Sequence, residues 1–137
     1  MLFQRITRTG PEKVFAIVKN DETSVTLVDG DVVNWVVAAS KNYGSDVIRT
    51  PAAASEVLVA GVISGKDIAP GDFGTCQVYG YHSNVKSGTS SPGAIQGTIT
   101  TIATLGNGAG TDSPGAYIGV CLKGTISGRA GIQIQRM

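Results

Sequence analysis

GVISGKDIAPGDFGTCQVYG, residues 61–80, is the stretch that decides the fold. It predicts a strand ending near Ile63, a loop, and a second strand over Thr75–Tyr79. Between them, Ala69-Pro70-Gly71-Asp72 has the pattern of a type II turn. The proline presets the φ angle of the second turn residue, and the glycine adopts the positive φ of the third. No catalytic motif lies here, so we interpret residues 61–80 as a structural clasp of an all-β domain, and call them the clasp.

The chain before the clasp reads as a set of short strands. Val14–Val18 predicts a strand with apolar residues on both faces, and Ser24–Val28 predicts a second. An Asp-Gly turn signal follows at residues 29–31. Val32–Ala39 is either a buried strand or a short helix, since periodicity does not separate the two, and its Trp35 is expected to anchor the core of this half.

The next segments continue this pattern. Asp46–Arg49 predicts a brief strand, Ala52–Glu56 a helical turn, and Val57–Ile63 a strand buried on both sides. Tyr81–Gly93 and Gly106–Ser113 read as polar, glycine-rich loops.

The C-terminal part is also β-prone. Strands are predicted over Gly97–Leu105, Ile118–Leu122 and Ala130–Gln135, the last with Ile132 and Ile134 facing the core. Phe73 and Tyr117 each follow a Pro-Gly turn and are expected to cover an end of the core. Seven to nine short strands predict a small β-barrel or β-sandwich over residues 14–137, preceded by an N-terminal arm, residues 1–13.

The amino-acid composition excludes some classes of function. Only 15 % of the 137 residues are charged, which indicates that part of the surface meets other protein; a polar Ser/Thr/Gly surface on a monomer is the alternative. The net charge is +1 and the basic residues form no run, so nucleic-acid binding is not expected. No apolar segment predicts a membrane span or a signal peptide, so synthesis in the cytoplasm is expected.

Few residues suggest chemistry. His82 is the single histidine and reads as a surface or interface residue. Cys76 and Cys121 lack the spacing of a metal or redox site and are expected to be reduced and buried. The acids Asp29 and Asp31 flank a turn glycine, where carboxylates accept backbone hydrogen bonds. We therefore predict no enzymatic activity, no cofactor and no metal.

The clasp and the segments after it resemble the capsid decoration, or cement, proteins of tailed bacteriophages. The likeness rests on Val59-Ala60-Gly61-Val62, Ile68 to Gly74 and Gln77 to Gly80, with Tyr117 to Val120 and Gly131 to Ile134. It covers about residues 57–137; the Trp35 segment and the cysteines have no counterpart. The resemblance implies a small β-barrel that binds the major capsid protein on the outside of the virion, commonly as a homotrimer, and bridges capsomers.

We expect contacts to the capsid or to other subunits from the arm and from the two polar loops. The candidate residues are Arg5, Arg8, Tyr81, His82, Asn84 and Asn107. An alternative is a receptor- or glycan-binding β-module of a virion fibre or surface protein, with Trp35, Tyr43, Tyr79 and Tyr81 as its aromatic platform. A small enzyme built around His82 is a third reading.

Overall fold

The computed structural model describes residues 12–37, 44–49, 59–88, 90–98, 105–107 and 117–135, with backbone alone at 95–98, 105–107 and 117. These ranges contain nine strands and no helix, so the prediction of an all-β fold is confirmed. The strands are β1 Val14–Asn20, β2 Val32–Trp35, β3 Asp46–Arg49, β4 Val59–Ile63, β5 Phe73–Lys86, β6 Ile95–Thr98, β7 Leu105–Asn107, β8 Tyr117–Ile126 and β9 Arg129–Gln135.

Five strands close into a barrel. Their order is β1-β3-β2-β4-β5, and β1 pairs with β5 to complete the circle. The β1–β3 pair is parallel, with Lys19 opposite Asp46, and the other four pairs are antiparallel. Closure leaves few free strand edges, which suits a small β domain.

Strand β5 links the barrel to the rest of the sheet. Its first half pairs with β1 and β4, and its second half, from Tyr79 to Lys86, pairs with β9. The sheet then continues in the order β9-β8-β6-β7. One strand of 14 residues therefore belongs to both parts of the fold.

Two hydrophobic clusters match these two parts. The first fills the barrel with fully buried side chains such as Val18, Val47 and Ile63, and the half-buried Trp35 packs against it as predicted. The second joins β2 and β4 to β8 and β9, with Ile132 and Ile134 facing inward as the alternation predicted. All five residues of β4 are buried because this strand contributes to both clusters.

The clasp has the predicted turn. Gly71 has a φ of 83°, and the backbone N–H of Asp72 donates to the carbonyl of Ala69 at 3.0 Å. Asn20 holds this turn from the neighbouring strand: its carbonyl accepts from the N–H of Gly71 at 2.8 Å, and its side-chain amide donates to the carbonyl of Ile68 at 2.8 Å.

Two predicted segments differ from the structure, and a third, for which two alternatives were open, is decided by it. Ser24–Val28 is not a strand; it makes a single bridge, Leu27 to Ile68, because the Asn20 side chain takes the carbonyl of Val25 at 2.8 Å. Gly97–Leu105 is not one strand, since Thr98 lies opposite Leu105 in the antiparallel β6–β7 pair. Of Val32–Ala39, the described part is a strand through Trp35, which decides between strand and helix.

The loop prediction for Tyr81–Gly93 is wrong over its first half. Strand β5 continues to Lys86, and a bulge between His82 and Val85 lets its polar residues stay in the ladder with β9. In the remaining part, Ser87 and Ser90 are buried and bond to each other, and the N–H of Ser90 donates to Thr125 Oγ1 at 2.8 Å, while Gly88 and residues 91–93 are exposed.

Phe73 is 67 % exposed, so the prediction that it covers the end of the core is wrong. The backbone of Tyr117 is described but its side chain is not. The helical turn predicted at 52–56 lies outside the described residues. Strand β1 begins at Val14, and the division into an arm and a single domain stays a prediction.

Candidate interaction surface

The outward face of β1 carries exposed apolar side chains. Phe15 is 48 % exposed and Ile17 is 65 % exposed, and both point away from the barrel cluster that holds Val18. We call Phe15 and Ile17 the apolar stripe. Phe73 lies at its far end, because it stands opposite Lys19, the next outward residue of β1. Because exposed apolar side chains lie next to one another here, we treat this face as a candidate contact surface.

The edge of β1 next to the stripe is also available. On the β3 side, β1 is paired only at Lys19 and Asn20, and within the described chain no strand pairs with residues 14–18 there. The N–H of Lys19 donates toward that side, to the carbonyl of Ser45 at 2.8 Å. Since alternate residues of a strand point their backbone groups to the same edge, those of Phe15 and Ile17 face it too.

A buried polar cluster lies at the turn between Asp29 and Asp31. The Asp29 carboxylate accepts from Asn84 Nδ2 at 2.7 Å and from the N–H of Gly65 at 3.0 Å. Arg129 Nη1 donates to the carbonyl of Asp29 at 2.8 Å. The predicted role of the turn acids as acceptors of backbone hydrogen bonds is confirmed, since Asp31 also accepts from the N–H of Val28 at 2.9 Å.

His82 belongs to this cluster. Its Nδ1 accepts from the N–H of Asn84 at 3.2 Å, which assigns the proton of the neutral ring to Nε2. The Nε2 atom lies 3.6 Å from Asp29 Oδ1 and has no hydrogen-bond partner among the described residues. Burial lowers the pKa of His82, although the Asp29 carboxylate opposes the shift.

The pKa of Asp29, which faces His82, is also shifted. Burial raises it, but the hydrogen bonds from the Asn84 side chain and the Gly65 backbone, with the charges of His82 and Arg129, outweigh burial and leave the pKa below its usual value. Nearby, the buried Asp31 pairs with Lys86 of β5. These bonds fix the turn to β5 and β9, so the cluster reads as structural support.

A half-open pocket lies beside the apolar stripe, at the start of β5. Its volume is about 580 Å³, and its lining includes Phe73, Thr75, Asp72, Lys66, Asp67 and Thr26. The pocket is thus built largely from the clasp. It contains an exposed aromatic ring and charges of both signs.

The predicted site residues are placed as follows. Tyr81, His82 and Asn84 lie together on β5, and Asn107 ends β7, where its side chain is not described. Arg5 and Arg8 lie outside the described residues. The prediction that His82 is a surface residue is wrong: it is 5 % exposed, because its ring closes over the Asp29 turn.

The structure describes three of the four residues expected to form an aromatic platform. Trp35 packs against the barrel cluster, and Tyr79 and Tyr81 are half-buried, while Tyr43 lies outside the described residues.

The cysteines are both free and buried, as predicted. Cys76 lies in the barrel cluster and Cys121 in the second one, and burial raises the pKa of the Cys76 thiol to about 12.

The described residues offer neither a metal site nor a membrane-spanning helix. They contain no group of three or more His, Cys, Asp or Glu side chains arranged to hold a metal ion. They also contain no helix with the length and apolar character needed to cross a membrane.

A comparison with solved structures finds a similar fold. The crystal structure of the head fiber gp8.5 N base in bacteriophage phi29 aligns with a TM-score of 0.57 and 16 % sequence identity, over 91 % of this chain and 96 % of that chain. No protein-family model matches the chain. No curated protein matches it either. The likeness therefore concerns the fold, which extends over nearly the whole of both chains.

The apolar stripe is the feature that the sequence prediction missed. The sequence of Val14–Val18 predicts a strand that is apolar on both faces, but it does not predict which face the barrel covers. The sequence does contain an indication of this surface, because a strand with apolar residues on both faces is typically packed against other structure on both faces. The barrel cluster covers one face of β1, and among the described residues the other face stays exposed at Phe15 and Ile17.

Proposed function

We propose that this chain is a non-enzymatic virion structural protein that binds the outside of a phage capsid. The observation that carries the proposal is the fold likeness, along nearly the whole chain, to a protein described as the base of a phage head fiber. The resemblance of the clasp and later segments to capsid decoration proteins supports the same class from the sequence.

The apolar stripe supplies the chemistry of attachment. Covering a Phe or Ile side chain contributes about 1.5–3 kcal/mol each when the side chain is fully buried. Phe15 and Ile17 start from about half and two-thirds exposure, so each retains area to bury against the major capsid protein. The adjacent edge of β1 offers backbone hydrogen bonds to an extended capsid segment.

The consequence for the shell follows from mass action. A protein that binds assembled capsid better than dissociated subunits stabilises the assembled form, and many copies add their effects. We propose that the chain bridges capsomers in this way, as a cement protein does. Bridging and attachment differ in outcome: a bridging protein raises the temperature at which capsids release DNA, whereas a fibre base only occupies the surface.

The finer points are proposals with their own tests. A homotrimer is expected, and light scattering on the purified protein measures its mass directly.

The arm, with Arg5 and Arg8, is proposed to reach a neighbouring capsid subunit. Deleting residues 1–10 should lower capsid occupancy if the arm binds, and unchanged occupancy would reject that role.

Co-sedimentation tests the proposal as a whole. Purified protein is mixed with expanded capsids of the phage whose genome carries the sequence, and the capsid pellet is assayed for bound chain. We expect saturable binding at a fixed number of copies per capsid. Absence of binding to expanded capsids and to procapsids alike would contradict the proposal.

A further inference from the structure

We infer that the pocket at the start of β5 is a saccharide-binding site. The proposed ligand is not the capsid. The residues that line the pocket are not those of the apolar stripe, although one of them, Phe73, lies at the far end of the stripe. The pocket joins an exposed aromatic ring to acceptor and donor groups of both signs in one concave surface of about 580 Å³. That combination is typical of small-molecule sites, in which a few polar groups orient a ligand against apolar surface.

The aromatic wall is Phe73. Its side chain is 67 % exposed, although the residue sits within a strand and its backbone neighbours are fixed in the sheet. A pyranose ring presents a face of C–H groups that packs on an aromatic ring, and this contact buries apolar area on both partners. An exposed phenylalanine without a packing role in the core is therefore a ready platform.

The polar groups suit hydroxyls. The carboxylates of Asp67 and Asp72 accept hydrogen bonds, and the Lys66 ammonium donates them. All three residues are exposed, and within the described chain their side chains have no hydrogen-bond partner. A sugar hydroxyl both donates and accepts, so it can use both kinds of group at once.

The walls are already in place before a ligand arrives. Ile68, inside the Lys66–Ala69 wall, exchanges two backbone hydrogen bonds with Leu27, at 3.0 and 2.8 Å. On the opposite wall, the carbonyl of Asp72 accepts from the N–H of Asn20 at 2.9 Å, and Thr75 Oγ1 donates to the carbonyl of Ser64 at 2.5 Å. A fixed site loses little conformational entropy on binding.

The same groups disfavour other ligands. Two carboxylates repel phosphate and nucleic acid, and Lys66 repels a basic peptide. A single ring does not form the aromatic cage that recognises quaternary ammonium groups. A neutral saccharide with free hydroxyls meets none of these penalties.

The test uses the full chain and defined probes. Backbone amide spectra are recorded while glucose, galactose, rhamnose and N-acetylglucosamine are titrated separately into the millimolar range, with a tri-lysine peptide as a charge probe. We expect at least one sugar to shift the amides of Lys66, Gly74 and Thr75 in a saturable way. The peptide should leave them in place.

Phe73→Ala and Phe15→Ala form the matched pair of variants, since both remove an exposed phenylalanine from neighbouring strands. Phe73→Ala should weaken sugar binding by about tenfold or more, a loss of about 1.4 kcal/mol. Phe15→Ala should bind sugar as the parent does. Asp67→Asn should weaken binding of the same sugar and leave the fold unchanged.

Three results would overturn the inference: no shift with any sugar, equal shifts in Phe73→Ala and the parent, or shifts confined to the tri-lysine peptide. Capsid binding is measured on the same variants. Loss of sugar binding with intact capsid binding, or the reverse, separates failure of this site from failure of the proposed function.

Discussion

Ile17 of β1 lies directly opposite Thr75 of β5, and the pair marks the border between two surfaces. Ile17 belongs to the apolar stripe, while Thr75 lines the pocket. Directly opposite residues of an antiparallel pair share a face of the sheet, so both surfaces look outward from the same side of the barrel. Single substitutions on either side of this border should separate capsid attachment from ligand binding.

Ile17→Glu should weaken capsid attachment about tenfold or more, because it places a charge where apolar area is to be buried. The fold should survive, since the side chain is 65 % exposed. Co-sedimentation gives the affinity, and thermal unfolding checks the fold. Leu122→Glu is the control, because Leu122 is 57 % exposed on β8, outside the stripe. Equal loss in both variants would contradict a specific role for the stripe.

Asn20→Ala should destabilise the domain by about 3 kcal/mol, because the buried Asn20 side chain loses three hydrogen bonds: those that it donates to the carbonyls of Val25 and Ile68, and the one that it accepts from the N–H of Glu22. Urea denaturation monitored by Trp35 fluorescence measures the change. Asn84→Ala serves for comparison: its side chain is half-buried and donates to Asp29, so about 1 kcal/mol is expected. A smaller effect at Asn20 than at Asn84 would show that the clasp is not held as described.

Acidification should destabilise the protein through His82. Its folded pKa lies below the ordinary 6.5, so the unfolded chain takes up the proton first. The stabilising contribution is complete above pH 6.5 and is lost as the pH falls toward the folded pKa. Burial opposes the charged form of the ring most strongly, and the charges of Lys13 and Arg129 also oppose it, whereas the Asp29 carboxylate and the backbone carbonyl of Ile63 favour it.

Urea unfolding midpoints measured across this pH range test that claim. The parent should lose stability below pH 6.5, and His82→Gln should lose less over the same interval. An identical pH dependence in His82→Gln and the parent would show that groups other than His82 cause the loss of stability. The folded pKa of Asp29 is also lowered, so its stabilising contribution is lost only as the pH falls near and below its ordinary pKa of 3.8, and the two pH windows are separate.

Cys76 should be unreactive toward a thiol reagent in the native state. Its side chain is fully buried and its pKa is raised to about 12, so little thiolate forms at neutral pH. Labelling with a disulfide reagent should proceed only after urea is added, at the rate of unfolding. Rapid labelling of a Cys121→Ser variant in native buffer would contradict the buried placement of Cys76.

Sequence reasoning reached the fold through turn chemistry and alternation. The turn at Pro70-Gly71 and the inward row Ile132 and Ile134 are local patterns, and both are confirmed. The strand prediction for Ser24–Val28 failed because the side chain of Asn20, which lies outside that segment, occupies a carbonyl that a strand would have paired. No pattern within that segment carries this information.

The site was harder to predict for the same reason. The burial of His82 depends on the Asp29 turn, 53 residues earlier in the chain, and the exposure of Phe15 depends on which face of β1 the barrel covers. Tyr81, His82 and Asn84 are close in sequence and lie together on β5. The contacts of His82 and Asn84 with the Asp29 turn depend on the β5–β9 ladder and its bulge.

Cryo-electron microscopy of expanded capsids mixed with the purified chain tests the central claim most directly. The account predicts barrel-sized density at defined positions on the outer surface, with β1 and its apolar stripe turned toward the shell. The same sample with Ile17→Glu should show those positions empty, and with Leu122→Glu filled. Capsids that carry no added density, or density in which β1 faces the solvent, would contradict it.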